Sequence, residues 1–194
     1  MVHQSIDPTD ITAVILAGGR ATRLGGVDKG LQDYQGRPLV AHAIERLAGQ
    51  AGRLLINCNR NADRYAAFGH RLIADRLPDF PGPLAGLDAA FQAVATRWLL
   101  TVPCDTPAFP EDLAQRLHAS LGGARASYAC TPAPQPVFAL YERDLGKTLE
   151  DFLAAEKRGV GQWLARIKAA PADFSDIPEA FMNLNCADDW PRSC

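Results

Sequence analysis

The sequence predicts a doubly wound α/β fold, with a mostly parallel, Rossmann-like sheet between two layers of helices. Three observations predict it. Short β-favouring apolar runs alternate with helical patterns about four times over the first two-thirds of the chain. The first of those runs stops at a glycine pair inside a cation-rich loop, and two later runs end in carboxylates, Asp75 and Asp105. With 194 residues, 47% of them hydrophobic, the chain suits one domain over 1–194. We divide it into a ligand-facing front half of about 11–110 and a more variable back half of about 111–190.

The elements follow in order. TAVILAG (12–18) is an apolar run halted by glycines, the pattern of a buried parallel strand. After the loop, Pro38 opens a helical pattern whose buried positions are Leu39, Ile44 and Leu47. RLLINCN (53–59) reads as a second strand, NADRYAAF as a short helix and RLIAD (71–75) as a third strand. FPGPLAG (80–86) is a Pro/Gly turn leading into a helix that buries Leu84, Leu87, Phe91 and Val94. RWLLTVPCD (97–105) is the most strongly apolar strand, and Pro110 opens the helix EDLAQRLHASL. In the back half, YACTPAPQPVFALY gives two strands around a proline-rich turn. KTLEDFLAAEKRG and VGQWLARI are helices, and FMNLN is a final strand.

Bulk properties exclude several function classes. The formal net charge is −2 and charged residues make up 22%, so neither a nucleic-acid coat nor a membrane-surface protein is indicated. No apolar run approaches the roughly 20 residues of a membrane span. The start MVHQSIDPTD resembles neither a secretory signal nor a transit peptide, and we expect a cytoplasmic protein. Cys58, Cys104, Cys130, Cys186 and Cys194 form no CxxC pair, which fits reduced thiols better than a disulfide frame or zinc site. His3, His42, His70 and His118 are equally dispersed.

Charge is concentrated instead in LAGGRATRLGGVDK (16–29), where four glycines accompany Arg20, Arg23 and Lys29. A strand ending in Gly18-Gly19 lets backbone N–H groups approach a ligand without side chains in the way. The cations suit phosphate, and an arginine can grip its oxygens in two-pronged fashion. A flexible turn with solvated charges is the competing account. Four glycines and three cations directly after the first strand favour anion binding over it. The loop is no Walker A, because Asp28 precedes Lys29 and no Ser or Thr follows; nor is it GxGxxG. An ATPase and a dinucleotide-dependent dehydrogenase are therefore disfavoured.

The pattern LAGGxxxRxGGxDK resembles the signature loop of nucleotidyltransferases that join a nucleotide to a phosphorylated acceptor. Within that superfamily it is most similar to the molybdenum cofactor guanylyltransferases. The related cytidylyltransferases share LAGGxxxRxG and the lysine, but usually not the continuation present here as Gly25, Gly26, Asp28, Lys29 and Gly30. The similarity extends along nearly the whole chain. It takes in LLINCNR with Asn57, LIADRLPDFPGPLAG with Asp75 and the 82–86 turn, VPCDTP with Asp105, and FMNLN with Asn183 and Asn185. One departure lies at Gln135-Pro136, where several relatives carry His-Pro.

The resemblance implies a nucleotide-diphospho-sugar transferase-like fold and transfer of GMP from GTP to the terminal phosphate of molybdopterin, with release of pyrophosphate. It implies catalytic roles for Arg23, Lys29 and Asp105, with Mg²⁺ on Asp105. Nucleotide contacts would come from Leu16, Ala17, Gly18, Gly19, Lys29, Asn57, Asp75, Gly82, Gly86 and Asp105, and acceptor contacts from Asn183 and Asn185. Molybdoenzymes or cofactor-insertion chaperones are plausible recipients, and neither nucleic acid nor membrane is a partner.

Read without the resemblance, several of these residues have ordinary alternatives. Asp105, at the end of a strand, suits Mg²⁺ and phosphate, but also a helix cap before Thr106-Pro107. Asp75 is equally a turn residue or ion-pair partner of Arg76, and Asn57 a routine strand-end amide. Asn183 and Asn185 alternate along the expected strand and so face one side, as contact residues or as plain edge polarity. Two functional alternatives stay open: a cytidylyltransferase or another small-molecule nucleotidyltransferase, and a non-catalytic nucleotide- or cofactor-binding protein.

Overall fold

The computed structural model describes residues 5–19, 28–77 and 82–184. Its main sheet has seven strands in the order β5-β4-β1-β6-β8-β7-β9. These are β1 (Ile11–Leu16), β4 (Arg53–Asn57), β5 (Arg71–Ile73), β6 (Trp98–Pro103), β7 (Ala126–Cys130), β8 (Pro134–Glu142) and β9 (Ala170–Asp173). The pairs β5/β4, β4/β1 and β1/β6 are parallel, β8 runs antiparallel to both neighbours, and β9 is parallel to β7. The sheet is thus mostly parallel, with one reversed strand. The chain moves outward from β1 through β4 to β5, then returns to β6 on the other side of β1. That reversal opens a crevice at the carboxyl ends of β1 and β6, where open α/β sheets bind ligands.

Period-two alternation along the central strands creates two cores. Ala13 and Ile15 of β1, Leu100 and Val102 of β6, and Phe138 and Leu140 of β8 face one layer. There they meet α1 (Leu39–Leu47), α2 (Ala62–Ala66) and α4 (Leu113–Ala119). Val14, Leu99, Ala139 and Tyr141 face the opposite layer. Those residues pack on α3 (Pro83–Ala93), α5 (Gly146–Ala154) and α6 (Val160–Arg166). This is the three-layer α/β/α arrangement the sequence predicts. Each fully buried Leu, Ile or Phe contributes about 1.5–3 kcal/mol of transfer free energy, so the sheet forms the rigid frame on which the loops sit.

Several expected boundaries shift. Pro83 begins α3, with Gly82 as its N-cap at φ 131°, so Pro83 to Gly86 is the helix's first turn rather than a free turn. Helix α4 starts at Leu113, three residues beyond Pro110. The buried Gln50 sets its start: its Oε1 accepts from Ala114 N at 2.9 Å while its Nε2 donates to Pro110 O at 3.1 Å. The described part of FMNLN, Phe181 to Leu184, is not a strand. Pro178–Phe181 forms a 3-10 turn instead, and the last strand among the described residues is β9, a proline-containing edge strand. The sequence reading also passed over a hairpin, β2 (Asp33–Tyr34) and β3 (Arg37–Pro38), turned by Gln35 and Gly36 at φ 54° and 81°.

β8 carries an irregularity at the crevice. Tyr128 pairs with Ala139, yet the next residue, Ala129, pairs with Gln135, which leaves Pro136, Val137 and Phe138 outside the ladder. The buried Thr101 hydroxyl pins this bulge by donating to Val137 O at 2.6 Å. Bulges of this kind re-aim side chains beside binding sites.

Candidate active site

A cleft of about 320 Å³ opens at the carboxyl ends of the parallel strands. Its front wall is made by Leu16, Gly18, Gly19, Asn57, Asp75, Gly82 and Pro83, and its back wall by Gln135, Pro136, Val137, Phe138 and Asn183. Pro103 and Asp105 lie between them. Two motifs far apart in sequence meet here because β1 and β6 are neighbours: Leu16 pairs with Pro103, and Cys104 N donates to Leu16 O at 3.3 Å.

The front wall is built around Asp75. Asn57, 2% exposed, donates from Nδ2 to Asp75 Oδ1 at 2.9 Å. Asn59 donates to Asp75 Oδ2 at 2.7 Å, and its Oδ1 accepts the Asp75 N–H at 2.9 Å. Asn59 Nδ2 also reaches Gly18 O at 3.0 Å. Two amides thus fix one carboxylate and tie it to the glycine strand-end. The expected alternative of an Asp75–Arg76 ion pair does not hold. Arg76 lies nearest Asp88, at 3.8 Å. Glycine is needed at two points of this wall. A Cβ at Gly18 would stand 2.8 Å from both Asn57 Oδ1 and Asn59 Nδ2, and one at Gly86 would collide with the Asn57 side chain.

Lys29 begins a 3-10 turn, Lys29–Leu31, and donates from Nζ to Asp105 Oδ2 at 2.6 Å, with the two side chains 24% and 18% exposed. The other oxygen, Asp105 Oδ1, receives a long contact of 3.5 Å from the Thr106 hydroxyl. That hydroxyl donates instead to Asn183 Oδ1 at 2.6 Å. Leu184 N donates to Asp105 O at 2.9 Å, so the tail after the last 3-10 turn is laced to the residue that ends β6.

Asp105 is therefore an ion-pair partner, not a helix cap. Among the described residues, no three His, Cys, Asp or Glu side chains gather as a metal cage. One carboxylate lining the cleft nevertheless fits Mg²⁺, which takes one or two carboxylates and fills its other positions with phosphate oxygens and water.

The cleft thus unites Leu16, Gly18, Gly19, Asn57, Asp75, Gly82, Asp105 and Asn183. Ala17 adjoins it, donating to Asn57 O at 2.9 Å. Gly86 lies one layer behind, under Asn57. Arg20, Arg23, Gly25, Gly26 and Asn185 lie outside the described residues. Asn59 and Arg60 join the expected residues, the Arg60 guanidinium reaching Gly19 O at 3.5 Å. The i, i+2 spacing of Asn57 and Asn59 in INCNR is the sequence signal for the first.

A mostly parallel sheet whose glycine strand-end and lysine-paired Asp105 border one cleft defines a nucleotidyltransferase-type α/β protein. Residues 13–171 match the MobA-like NTP transferase domain. Molybdenum cofactor guanylyltransferases from Burkholderia vietnamiensis and Bordetella petrii are 46% and 45% identical to the chain. The alignments cover 93% of this chain in both cases, and 93% and 95% of those relatives. The chain belongs to the MobA-like NTP transferase family and, within it, to the molybdenum cofactor guanylyltransferases. The fold also matches molybdopterin-guanine dinucleotide biosynthesis protein A from Archaeoglobus fulgidus, at a TM-score of 0.74 and 21% identity over 92% of this chain and 94% of that one.

Proposed function

We propose that this chain transfers GMP from GTP to the terminal phosphate of molybdopterin, releasing pyrophosphate and forming a guanine dinucleotide cofactor. The observation that carries this reading is the convergence of the β1 glycine end, Asp75 and Asp105 on one cleft, with Lys29 bonded to Asp105. Membership among the guanylyltransferases supports it.

The reaction forms a bond between an acceptor phosphate oxygen and the α-phosphorus of GTP and breaks the bond from that phosphorus to the β-phosphate bridge. The acceptor is already an anionic nucleophile, so no Ser, Cys or His nucleophile is required. Catalysis is then alignment and charge neutralisation. The Gly18–Gly19 backbone holds the triphosphate, and Lys29 turns from Asp105 toward its oxygens as they arrive. Arg23 adds a second cation. Asp75, held by two amides, offers carboxylate oxygens to the N–H groups of a guanine edge. Asn57 and the start of α3 at Gly82 close the base side, while Asn183 and the Gln135–Phe138 bulge border the acceptor, to which Asn185 would add a contact. Asp105 would hold Mg²⁺, which when bound supplies charge neutralisation at the α-phosphate and the leaving group.

No helix among the described residues is long and apolar enough to cross a membrane. We place the reaction in the cytoplasm, where Cys58, Cys104 and Cys130 stay free thiols. Molybdoenzymes or their insertion chaperones would receive the product.

The test is pyrophosphate release with Mg²⁺ and molybdopterin, offering GTP, CTP, ATP and UTP separately. Release with GTP alone, with a guanine dinucleotide product, is expected. Release with CTP would move the chain to the cytidylyl branch, and tight GTP binding without release would make it a binding protein.

A further inference from the structure

Lys29 sits between two residues that touch the same buried hydroxyl. On one side, Tyr65 Oη donates to Asp28 Oδ1 at 2.6 Å. On the other, Gly30 lies so close that a Cβ there would collide with the Tyr65 hydroxyl. Tyr65 itself is 0% exposed and belongs to the core under α2, where Leu31, Cys58 and Cys104 also pack. Its hydroxyl therefore cannot follow a moving loop. The second Asp28 oxygen accepts from Asn61 Nδ2 at 2.9 Å. Asn61 is the left-handed residue, φ 51°, that begins α2. Both Asp28 oxygens are thus held by one short helix anchored in the core, and Leu31 N returns to Asp28 O at 3.2 Å to close the turn.

We propose that Tyr65 is a positioning residue for Lys29: its hydroxyl holds Asp28, the residue before that lysine, and packs against Gly30, the residue after it, and so sets the ammonium against Asp105. The inference rests on the reading of Lys29 as the cation that takes up the triphosphate, and it assigns that cation its support. The logic is one of geometry. A lysine carries four rotatable side-chain bonds, so its reach is controlled only if its backbone is. Asp28, held by Tyr65 and Asn61 and closed by the bond from Leu31 N, supplies that control, and Gly30 packs against the same hydroxyl. Burial, together with the bond to Asp28, pushes the Tyr65 phenol well above the ordinary range, so it stays a donor throughout working pH.

The test is a double-mutant cycle on the full-length enzyme, with pyrophosphate release as the readout and GTP and molybdopterin varied separately. Tyr65→Phe keeps the ring and removes the hydroxyl. It is expected to lower kcat/KM for GTP about tenfold while leaving the KM for molybdopterin unchanged. Lys29→Ala is expected to cost more. In the Lys29→Ala background, Tyr65→Phe should change the rate by less than about twofold, because the support no longer has a cation to aim. Losses that multiply would make Tyr65 merely structural and overturn the proposal. So would a Tyr65→Phe enzyme with the native rate beside a crippled Lys29→Ala, an outcome that leaves the reading of Lys29 standing. A Lys29→Ala enzyme with the native rate would overturn both. If Tyr65→Phe melts too low to assay, Asn61→Gly serves instead. Glycine accepts φ 51° and removes only the second donor, and a loss of about two- to threefold, absent in the Lys29→Ala background, is expected.

Discussion

Lys29 Nζ and Asp105 Oδ2 stand 2.6 Å apart, although 76 positions separate them in sequence. Both side chains keep contact with water, at 24% and 18% exposed, so the net contribution of the pair to stability is small, on the order of 1 kcal/mol. On the proposed function each partner would keep the other's charge matched until a triphosphate and its counter-ion arrive. Asp105→Asn should retain the fold and shift the melting temperature by only a few degrees. It should lower kcat by about 10²-fold or more, the usual cost of one electrostatic group at a reacting phosphate. A Mg²⁺ titration checks the assignment: the variant should need far more Mg²⁺ for its residual rate. An unchanged Mg²⁺ dependence at native rate would remove Asp105 from the metal site.

Gly86 and Asn57 give a second test, this time of packing. Replacing a glycine inside a helix by alanine ordinarily gains about 1 kcal/mol. At Gly86 the new methyl would collide with the buried Asn57 side chain and stand 2.9 Å from Leu16 Cδ2. Overpacking costs about 1–3 kcal/mol, and the simplest relief moves Asn57 off Asp75. Gly86→Ala should therefore lower the melting temperature and weaken GTP binding at least tenfold, measured by calorimetry. Gly19→Ala is the contrast. Among the described residues nothing lies within 4 Å of its Cβ position, so thermal stability should stay within about 0.5 kcal/mol while nucleotide affinity falls. Equal melting temperatures for the two variants would contradict this account of the front wall.

The front half was legible in the sequence because its strands are continuous apolar runs and its chemistry sits at their ends. β1, β4 and β6 match their expected runs, and Asp75 and Asp105 lie on the cleft. The back half was harder for physical reasons. β9 reads APAD, a short edge strand with a proline and no β-branched residue, so no propensity signals it. FMNLN alternates like a strand, but Pro178 turns the chain into a 3-10 segment just before it. At the site, Asp75 and Asn57 were nameable while their bond was not, and the roles of Asn59 and Tyr65 arise from contacts between separate elements. Such contacts are properties of the fold and leave no mark on local sequence.

Asp88 supplies a pH dependence. It is 4% exposed on α3, and burial raises its carboxyl above the ordinary range. Arg76 opposes that rise from 3.8 Å, whereas Glu150 and Asp75 add to it. A carboxyl whose folded pKa is raised favours folding in its protonated form. Its contribution is complete below the ordinary aspartate value of about 3.9 and is lost as pH rises through the folded pKa. At pH 7 the ionised group is therefore a burden. Asp88→Asn should raise the melting temperature at pH 7, and the gain should shrink as the pH is lowered toward 4. A gain independent of pH would place the effect in packing instead.

Thr101 tests the acceptor wall. Its hydroxyl, 2% exposed, donates to Val137 O at 2.6 Å and holds the bulge that presents Pro136, Val137 and Phe138 to the cleft. Thr101→Val preserves shape but leaves that carbonyl one donor short, a cost of about 1–3 kcal/mol. The strand around it is paired on both sides, to β6 and β7, so relaxation should concentrate in the unpaired residues of the bulge. On the proposed division of the cleft, steady-state kinetics should then show a raised KM for molybdopterin with the KM for GTP unchanged, since the bulge lies on the wall assigned to the acceptor. Thr101→Ser restores the donor and should recover most of the loss. If Thr101→Val instead weakened GTP and molybdopterin equally, the bulge would belong to the common frame of the cleft, and the division between its two walls would be wrong.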